Sequence, residues 1–313
     1  MSNYIRRAIR VSLRDAIARK YNFRYIERAE RRSMRCELRE TSNLKTLGPR
    51  AAQLVVELNE RRQQIFSLAD VTDITGLNPP SARNLVAKAE ARGVVTRLKP
   101  GLYNLVPFER GRDTEHVGNP YLIARTLVGD APYFISHGSA LELHRMVTQP
   151  QLAIVVSCAK RLRPQHIHGY EFRFVEVRPE DFFGLAQIWI TSEEQVMVSD
   201  PERTVIDGLD HPQYVGGVTE VAKGLWMKRD TLRIDHLIDY ALRLGVGAVI
   251  RRLGYLLEYY DLADPGVLEP LRARLTPTYQ RLDPLFPNEG RMIARWRLRL
   301  NIEPDELDLV RSS

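Results

Sequence analysis

The chain has 313 residues, 44% of them hydrophobic, with a mean hydropathy of −0.30. That apolar content can bury a sizeable core, which excludes a disordered chain, and the length suits two domains better than one. The net charge is +7, from 46 Lys and Arg against 39 Asp and Glu, but it is unevenly spread. Residues 1–45 hold 13 basic side chains against five acidic ones, residues 46–110 nine against six, and residues 111–313 24 against 28. All the positive excess therefore lies in the first third. Such asymmetry suits a phosphate-backbone partner, and an acidic protein surface suits it too. Two cysteines, Cys36 and Cys158, cannot build a disulfide scaffold, so a reducing compartment is expected. No apolar run approaches the ~18 residues of a membrane span, and the Arg-rich start lacks the apolar core of a signal peptide. A soluble cytoplasmic protein is the expectation.

In chain order, residues 1–45 open with Ile5, Ile9, Leu13 and Ile17 interleaved with Arg6, Arg10, Arg14 and Arg19, a basic amphipathic helical pattern. Glu27, Glu30, Glu37 and Glu40 interrupt the later part, which argues against a membrane-surface role. Thr41 to Pro49 reads as a loop. Leu54, Val55 and Leu58 then give a first helix its apolar stripe, to about Arg62. Ser67 caps a second helix and forms a capping-box pair with Asp70; Gly76 supplies a left-handed stop. Asn78 and Pro79 start a third helix. Its inward face is Ala82, Leu85, Val86 and Ala89, and its outward face is Ser81, Arg83, Asn84, Lys88 and Arg92. Two strand-like runs, 94–98 and 102–106, flank Lys99-Pro100-Gly101, which suits a type II turn.

Three helices followed by a hairpin predict a winged helix-turn-helix over 46–110. The third helix of that motif enters the major groove, where Arg83 and Asn84 are types that read guanine and adenine edges. Arg97 and Lys99 on the wing suit phosphate, and Tyr103 of the wing joins them. The candidate DNA-binding set is thus Ser81, Arg83, Asn84, Lys88, Arg92, Arg97, Lys99 and Tyr103. A winged helix used only for protein contacts fits the same elements, but the polar-to-basic outward face of the third helix favours nucleic acid.

A polar, turn-rich stretch at 107–118 marks a domain boundary. Beyond it, helices are expected at Tyr121–Val128 and Gly138–Met146. Strands are expected at 133–135, 152–157, 171–177 and 186–191, the third with strict alternation. From Asp200 on, the chain reads as mostly helical, with helix-period runs at Val218–Met227, Ile234–Leu244 and Val249–Tyr260. Residues 111–313 are therefore expected to be α+β, a mixed or antiparallel sheet with helices on one face. Within them, Asp200 caps a helix starting at Pro201, and Arg203 and Asp207 are placed to pair on its surface.

Motifs for catalysis are scarce. His166 and His168 form an H-x-H pair, read as a solvated loop before a strand, and His137 and His144 lack further ligands at metal-site spacing. There is no phosphate-cradling glycine loop. Ser139 in HGSAL lacks the nucleophile elbow and reads as a capping or packing residue. Cys158 beside Lys160 and Arg161 has neighbours that could lower its pKa, though a buried strand-end residue is the simpler reading. Glu193, Glu194 and Asp181 do not form a metal-nuclease pattern. No catalytic residue, metal or cofactor is expected.

Several segments together resemble the AbiEi-type antitoxin family of type IV toxin–antitoxin, abortive-infection systems. They are GVVTRLKPGLYNLVP at 93–107, FISHGSALELHRMVTQP at 134–150, DPERTVIDGLDHPQYVGGVTEV at 200–221 and VIRRLGYLLE at 249–258. RWRLRLN at 295–301 resembles the closing stretch of that family, and the likeness spans about 48–305, leaving the basic residues 1–45 outside it. The resemblance implies an N-terminal winged helix followed by an α+β antitoxin domain. It implies binding to inverted repeats in the chain's own promoter, repression of that operon, and nucleoid association when bound. It also implies neutralisation of a nucleotidyltransferase-like toxin without a stable complex. The alternative is a nucleic-acid-processing enzyme or an adaptor targeted by its winged helix.

Overall fold

The computed structural model describes residues 47–111, 113–147, 151 and 153–312. The expected basic helices of residues 1–45 lie outside the described residues. The chain divides into two compact units between His116 and Val117. No helix among the described residues is long and apolar enough to cross a membrane.

The first unit holds helices α1 (Pro49–Glu60), α2 (Leu68–Thr75) and α3 (Pro79–Ala91), with strands β1 (Ile65–Ser67), β2 (Val95–Lys99) and β3 (Leu102–Leu105). The strands form an antiparallel sheet in the order β1-β3-β2. Leu54, Val55 and Leu58 of α1, Val71 and Ile74 of α2, and Ala82, Val86 and Ala89 of α3 close one core with Phe66 and Leu105. Both ends of α2 and the start of α3 have local causes. Ser67 Oγ accepts from Asp70 N at 3.2 Å, and the Asp70 carboxylate accepts from Ser67 N at 2.6 Å, completing the capping box. Gly76 ends α2 at φ 66°, a region open to glycine at little cost. Asn78 Oδ1 accepts from Ser81 N at 3.0 Å and Pro79 occupies the first turn of α3. The β1 strand was not foreseen: its three residues are too few to show a period, and its partner Leu102–Asn104 is remote in sequence.

The second unit is α+β. Its six-stranded sheet runs β6-β7-β5-β4-β9-β8, from β4 (Tyr133–Ile135), β5 (Ala153–Cys158), β6 (Gln165–Ile167), β7 (Tyr170–Glu176), β8 (Leu185–Trp189) and β9 (Gln195–Ser199). It is mixed: β5–β7 and β4–β9 pair parallel, and the other neighbours pair antiparallel. Helix α4 (Pro120–Val128) packs on β4, β5 and β9, and α5 (His137–Leu143) on β5. Then follow α6 (Pro201–Asp210), α7 (Val218–Met227), α8 (Ile234–Leu244), α9 (Gly247–Tyr259) and the short α10 (Glu269–Arg272). A second sheet, β10 (Gln280–Arg281), β11 (Arg291–Ile293) and β12 (Leu298–Leu300), precedes α11 (Pro304–Leu309) and interrupts the end that was expected to be mostly helical. Its strands of two or three residues are again too short to leave a pattern in the sequence.

Helix α6 is the hub, touching α5, α7, α8 and α9. Asp200 caps it as expected, accepting from Arg203 N at 2.7 Å. The expected surface pair on it is instead buried. Arg203 and Asp207 are 2% and 5% exposed and bond Nε to Oδ1 at 2.7 Å. A helix enclosed on all sides has no solvent face on which to place an ion pair, so its polar side chains must pair inside.

Candidate nucleic-acid interface

The geometry of α3 starts from α1. Arg50 Nη1 donates to Thr75 O at 3.1 Å and Gln53 Nε2 to Ile74 O at 3.0 Å, so two α1 side chains satisfy carbonyls at the open end of α2. With α2 held there, the turn Gly76-Leu77-Asn78 fixes where α3 departs. On α3, Ala82, Val86 and Ala89 are buried and Leu85 is half-buried against the same core. Arg83, Asn84, Lys88 and, just past the helix, Arg92 are exposed; Ser81 is half-buried. Four polar or basic side chains are therefore presented to solvent by one face and end of a well-anchored helix.

The hairpin turns at Pro100-Gly101, with Gly101 at φ 82°, the left-handed value that the third residue of a type II turn requires. The register of β2 against β3 shifts between Arg97 and Lys99, a bulge that twists the strand. Arg97 is exposed and Lys99 half-buried, and burial lowers the Lys99 pKa. Tyr103 does not join them. It is buried and its ring stacks on Phe66 at 5.8 Å between centroids, so it supports the sheet from the core. Tyr103 is the cross-strand partner of Arg97 on one side and of Phe66 on the other, so it is Phe66 of β1 that covers a side chain on the face Arg97 shares. Thr96 Oγ1 accepts from His116 N at 2.7 Å, and Asn104 Nδ2 donates to His116 O at 2.8 Å, tying the end of the unit to its sheet.

The candidate chemical groups of the second unit are scattered. His166 lies in β6 rather than a loop, and His168 and Gly169 form its hairpin turn, both at positive φ (46° and 85°). Ser139 Oγ accepts from Val155 N at 2.9 Å and donates to Ala153 O at 3.2 Å, fastening α5 to β5. Cys158 is fully buried, and burial pushes its thiol up despite Lys160 nearby; its Sγ donates to Lys160 O at 3.1 Å. Desolvation outweighs the neighbouring positive charge, so the thiol is not activated. Asp181 is held by Arg178 through two contacts of 3.0 and 3.3 Å, and Glu194 is ion-paired with Arg125. Among the described residues no group of three or more His, Cys, Asp or Glu side chains is placed to hold a metal ion.

One polar cluster went unnoticed in the sequence. His137, buried and left-handed at φ 53°, has Nδ1 2.8 Å from Ser136 Oγ, which accepts from Ser157 Oγ at 2.9 Å. Its ring packs edge-on to His211 and Tyr214, and Nε2 has no hydrogen-bond partner. Burial, reinforced by the charges of His211 and Arg203, holds the His137 imidazole neutral, well below its ordinary pKa. Only the β-bordering HGSAL motif hinted at it.

Residues 53–106 match the AbiEi antitoxin family of transcriptional regulators. That stretch contains most of α1, all of α2 and α3, and the three-stranded sheet. The fold of the chain is similar to the crystal structure of the RV2827C protein from Mycobacterium tuberculosis, with a TM-score of 0.62 at 17% identity. That likeness covers 86% of this chain and 97% of the other. No curated protein matches the chain in sequence.

Proposed function

We infer that residues 47–116 are a winged helix-turn-helix that binds duplex DNA, and that the chain is an autoregulating antitoxin. In this reading α3 lies in the major groove, with Arg83, Asn84 and Lys88 towards base edges and phosphates. Ser81 and Arg92 flank them, and Arg97 and Lys99 meet the backbone from the wing. Tyr103 acts only through the core. The observation that carries the reading is a coincidence of position. The stretch that matches a transcriptional-regulator antitoxin family is the three-helix, three-strand unit whose third helix exposes these residues. The finer reading is repression of its own operon through inverted repeats. A nucleotidyltransferase-like toxin encoded beside it is neutralised without a stable complex, in the cytoplasm, and no catalytic step of its own is involved.

Fluorescence anisotropy with the chain's own upstream promoter, beside a scrambled duplex and at several salt concentrations, tests it. A preference of ~1,000-fold or more for the promoter is expected of a specific regulator. Equal, steeply salt-dependent binding to both duplexes refutes autoregulation. It would leave the nucleic-acid-processing or adaptor reading, which metal-dependent turnover of nucleic acid would identify.

A further inference from the structure

Strand β8 ends the six-stranded sheet, and its hydrogen-bonding parity can be read from its two ends. Asp200 N donates to Gly184 O at 2.8 Å and Ile190 N to Glu194 O at 2.9 Å. Residues 184 and 190 therefore face β9, and with them Ala186 and Ile188, given the Ala186–Val198 and Ile188–Val196 register. Leu185, Gln187 and Trp189 point their N–H and C=O groups the other way, where no further strand lies among the described residues. That is an open edge of three donors and three acceptors.

Native sheets blunt such edges with charge, proline, bulges or brevity. The opposite edge, β6, has three residues and follows Lys160, Arg161 and Arg163. Strand β8 has five residues, LAQIW, with no charge, no proline and an unbroken register. Trp189 is 63% exposed, and Ala186 and Ile188 are half-buried.

We propose that β8 is a homodimer interface, pairing antiparallel with β8 of a second copy about a two-fold axis at Gln187. The strand is complementary to itself in that register. Gln187 meets Gln187 of the second copy and Leu185 meets Trp189, so all three donors and three acceptors of each strand are satisfied in six hydrogen bonds. Trp189 covers a leucine across the strands, and on the other face Ala186 opposes Ile188 of the second copy. No like charges face each other along the paired strands, because residues 182–192 carry none; of the flanking carboxylates, Asp181 and Glu194 have arginine partners, and Glu193 is exposed in the turn beyond the strand. An isologous contact of this kind needs no other surface of the molecule. An uncharged edge also offers nothing to a charged partner, which favours a second copy as its occupant. The inference stands independently of the DNA reading. If both hold, the dimer carries two DNA-binding units, as an inverted repeat carries two half-sites.

Sedimentation velocity of the full chain, unmodified and as Gln187→Lys and Gln187→Glu, tests it. Gln187 is exposed at an edge, where charge is tolerated, so both variants should keep the circular dichroism of the parent. The unmodified chain should sediment as a concentration-dependent dimer. Each variant alone, with like charges on the axis, should dimerise at least tenfold more weakly, and an equimolar mixture of the two should recover the dimer. Gln187→Pro is the second disruptor. Its lost N–H is one that faces outward, so the monomer should fold while the dimer is abolished. A monomer at every concentration overturns the proposal. So does a dimer indifferent to Lys, Glu and Pro at position 187, or a mixture no tighter than its parts.

Discussion

Replacing Arg203 with leucine should unfold the second unit far more readily, and replacing its partner as well should largely reverse the loss. The guanidinium is 2% exposed, bonds Asp207 at 2.7 Å, donates to Asp181 O at 3.0 Å and lies 4.1 Å from the Phe183 ring centroid. Asp207 is itself buried, and its second carboxylate oxygen has no hydrogen-bond partner. Arg203→Leu therefore leaves a buried carboxylate without its counter-ion, a change that costs about 3–5 kcal/mol. Arg203→Leu with Asp207→Leu removes both charges from the hub and should return to within about 1 kcal/mol of the parent, since well-packed apolar pairs replace buried ion pairs at little net cost.

The pH dependence gives a second reading of the same change. Burial already raises the Asp207 pKa from its ordinary 3.8 against the pull of Arg203, and without Arg203 it rises further. A carboxyl whose folded pKa exceeds its unfolded value holds its proton more tightly in the folded state. The stability it contributes then falls as pH rises from 3.8 through the folded pKa. The deficit of Arg203→Leu relative to the parent should therefore be smaller at pH 5 than at pH 8. Equilibrium urea unfolding followed by tryptophan emission suits the measurement, because the three tryptophans, Trp189, Trp226 and Trp296, all lie in the second unit. A single-variant cost below about 1 kcal/mol, the range of exposed pairs, would refute the reasoning. So would a double variant no more stable than the single one.

Arg83→Ala should weaken promoter binding by ~1–3 kcal/mol and relax base preference at one position, whereas Lys88→Ala should weaken all duplexes alike and lower the salt slope by about one. Anisotropy titrations separate the two, and unchanged binding in both would remove α3 from the interface. Ser67→Ala removes the capping box of α2 and should cost about 1 kcal/mol in the first unit by chemical denaturation; no loss would mean the cap is not needed there. The second unit should lose stability below pH 6.5. His137 is neutral when folded, and the unfolded chain takes up its proton near 6.5, so its contribution is complete above that pH and lost as pH falls. The slope should reach about 1.4 kcal/mol per pH unit for this group, and His137→Asn, which tolerates φ 53°, should remove it; an unchanged slope would acquit His137.

What could be read in advance follows from the range of the forces involved. The elements from Ser67 to Leu105 are bounded by local chemistry, a capping box, a left-handed glycine, an Asn-Pro start and a Pro-Gly turn, and each acts within four residues. Strands β1 and β10 are fixed by partners remote in sequence, β11 and β12 pair across a short turn, and all four are too short to carry a period. Tyr103 was misplaced because β1, too short to be read in advance, sets Phe66 beside it and buries a side chain that shares its face with Arg97. The Arg203–Asp207 spacing was legible as a pair, but its burial depends on four helices that converge on α6 from elsewhere in the chain.

On the proposed DNA-binding reading, the same division separates the fold from the operator that would be read. Along α3, the packing requirement falls on Ala82, Val86 and Ala89, which fit the core and can change only with it. Arg83, Asn84 and Lys88 sit between them, exposed, and no packed neighbour dictates their identity. A protein of similar fold at 17% identity can keep the first set in function while replacing the second entirely. Base preference should accordingly travel with the exposed positions. Exchanging residues 83, 84 and 88 for those of a winged helix with a known operator should transfer that preference to this chain without changing its unfolding midpoint. A transplanted helix that leaves base preference where it was would place recognition outside α3.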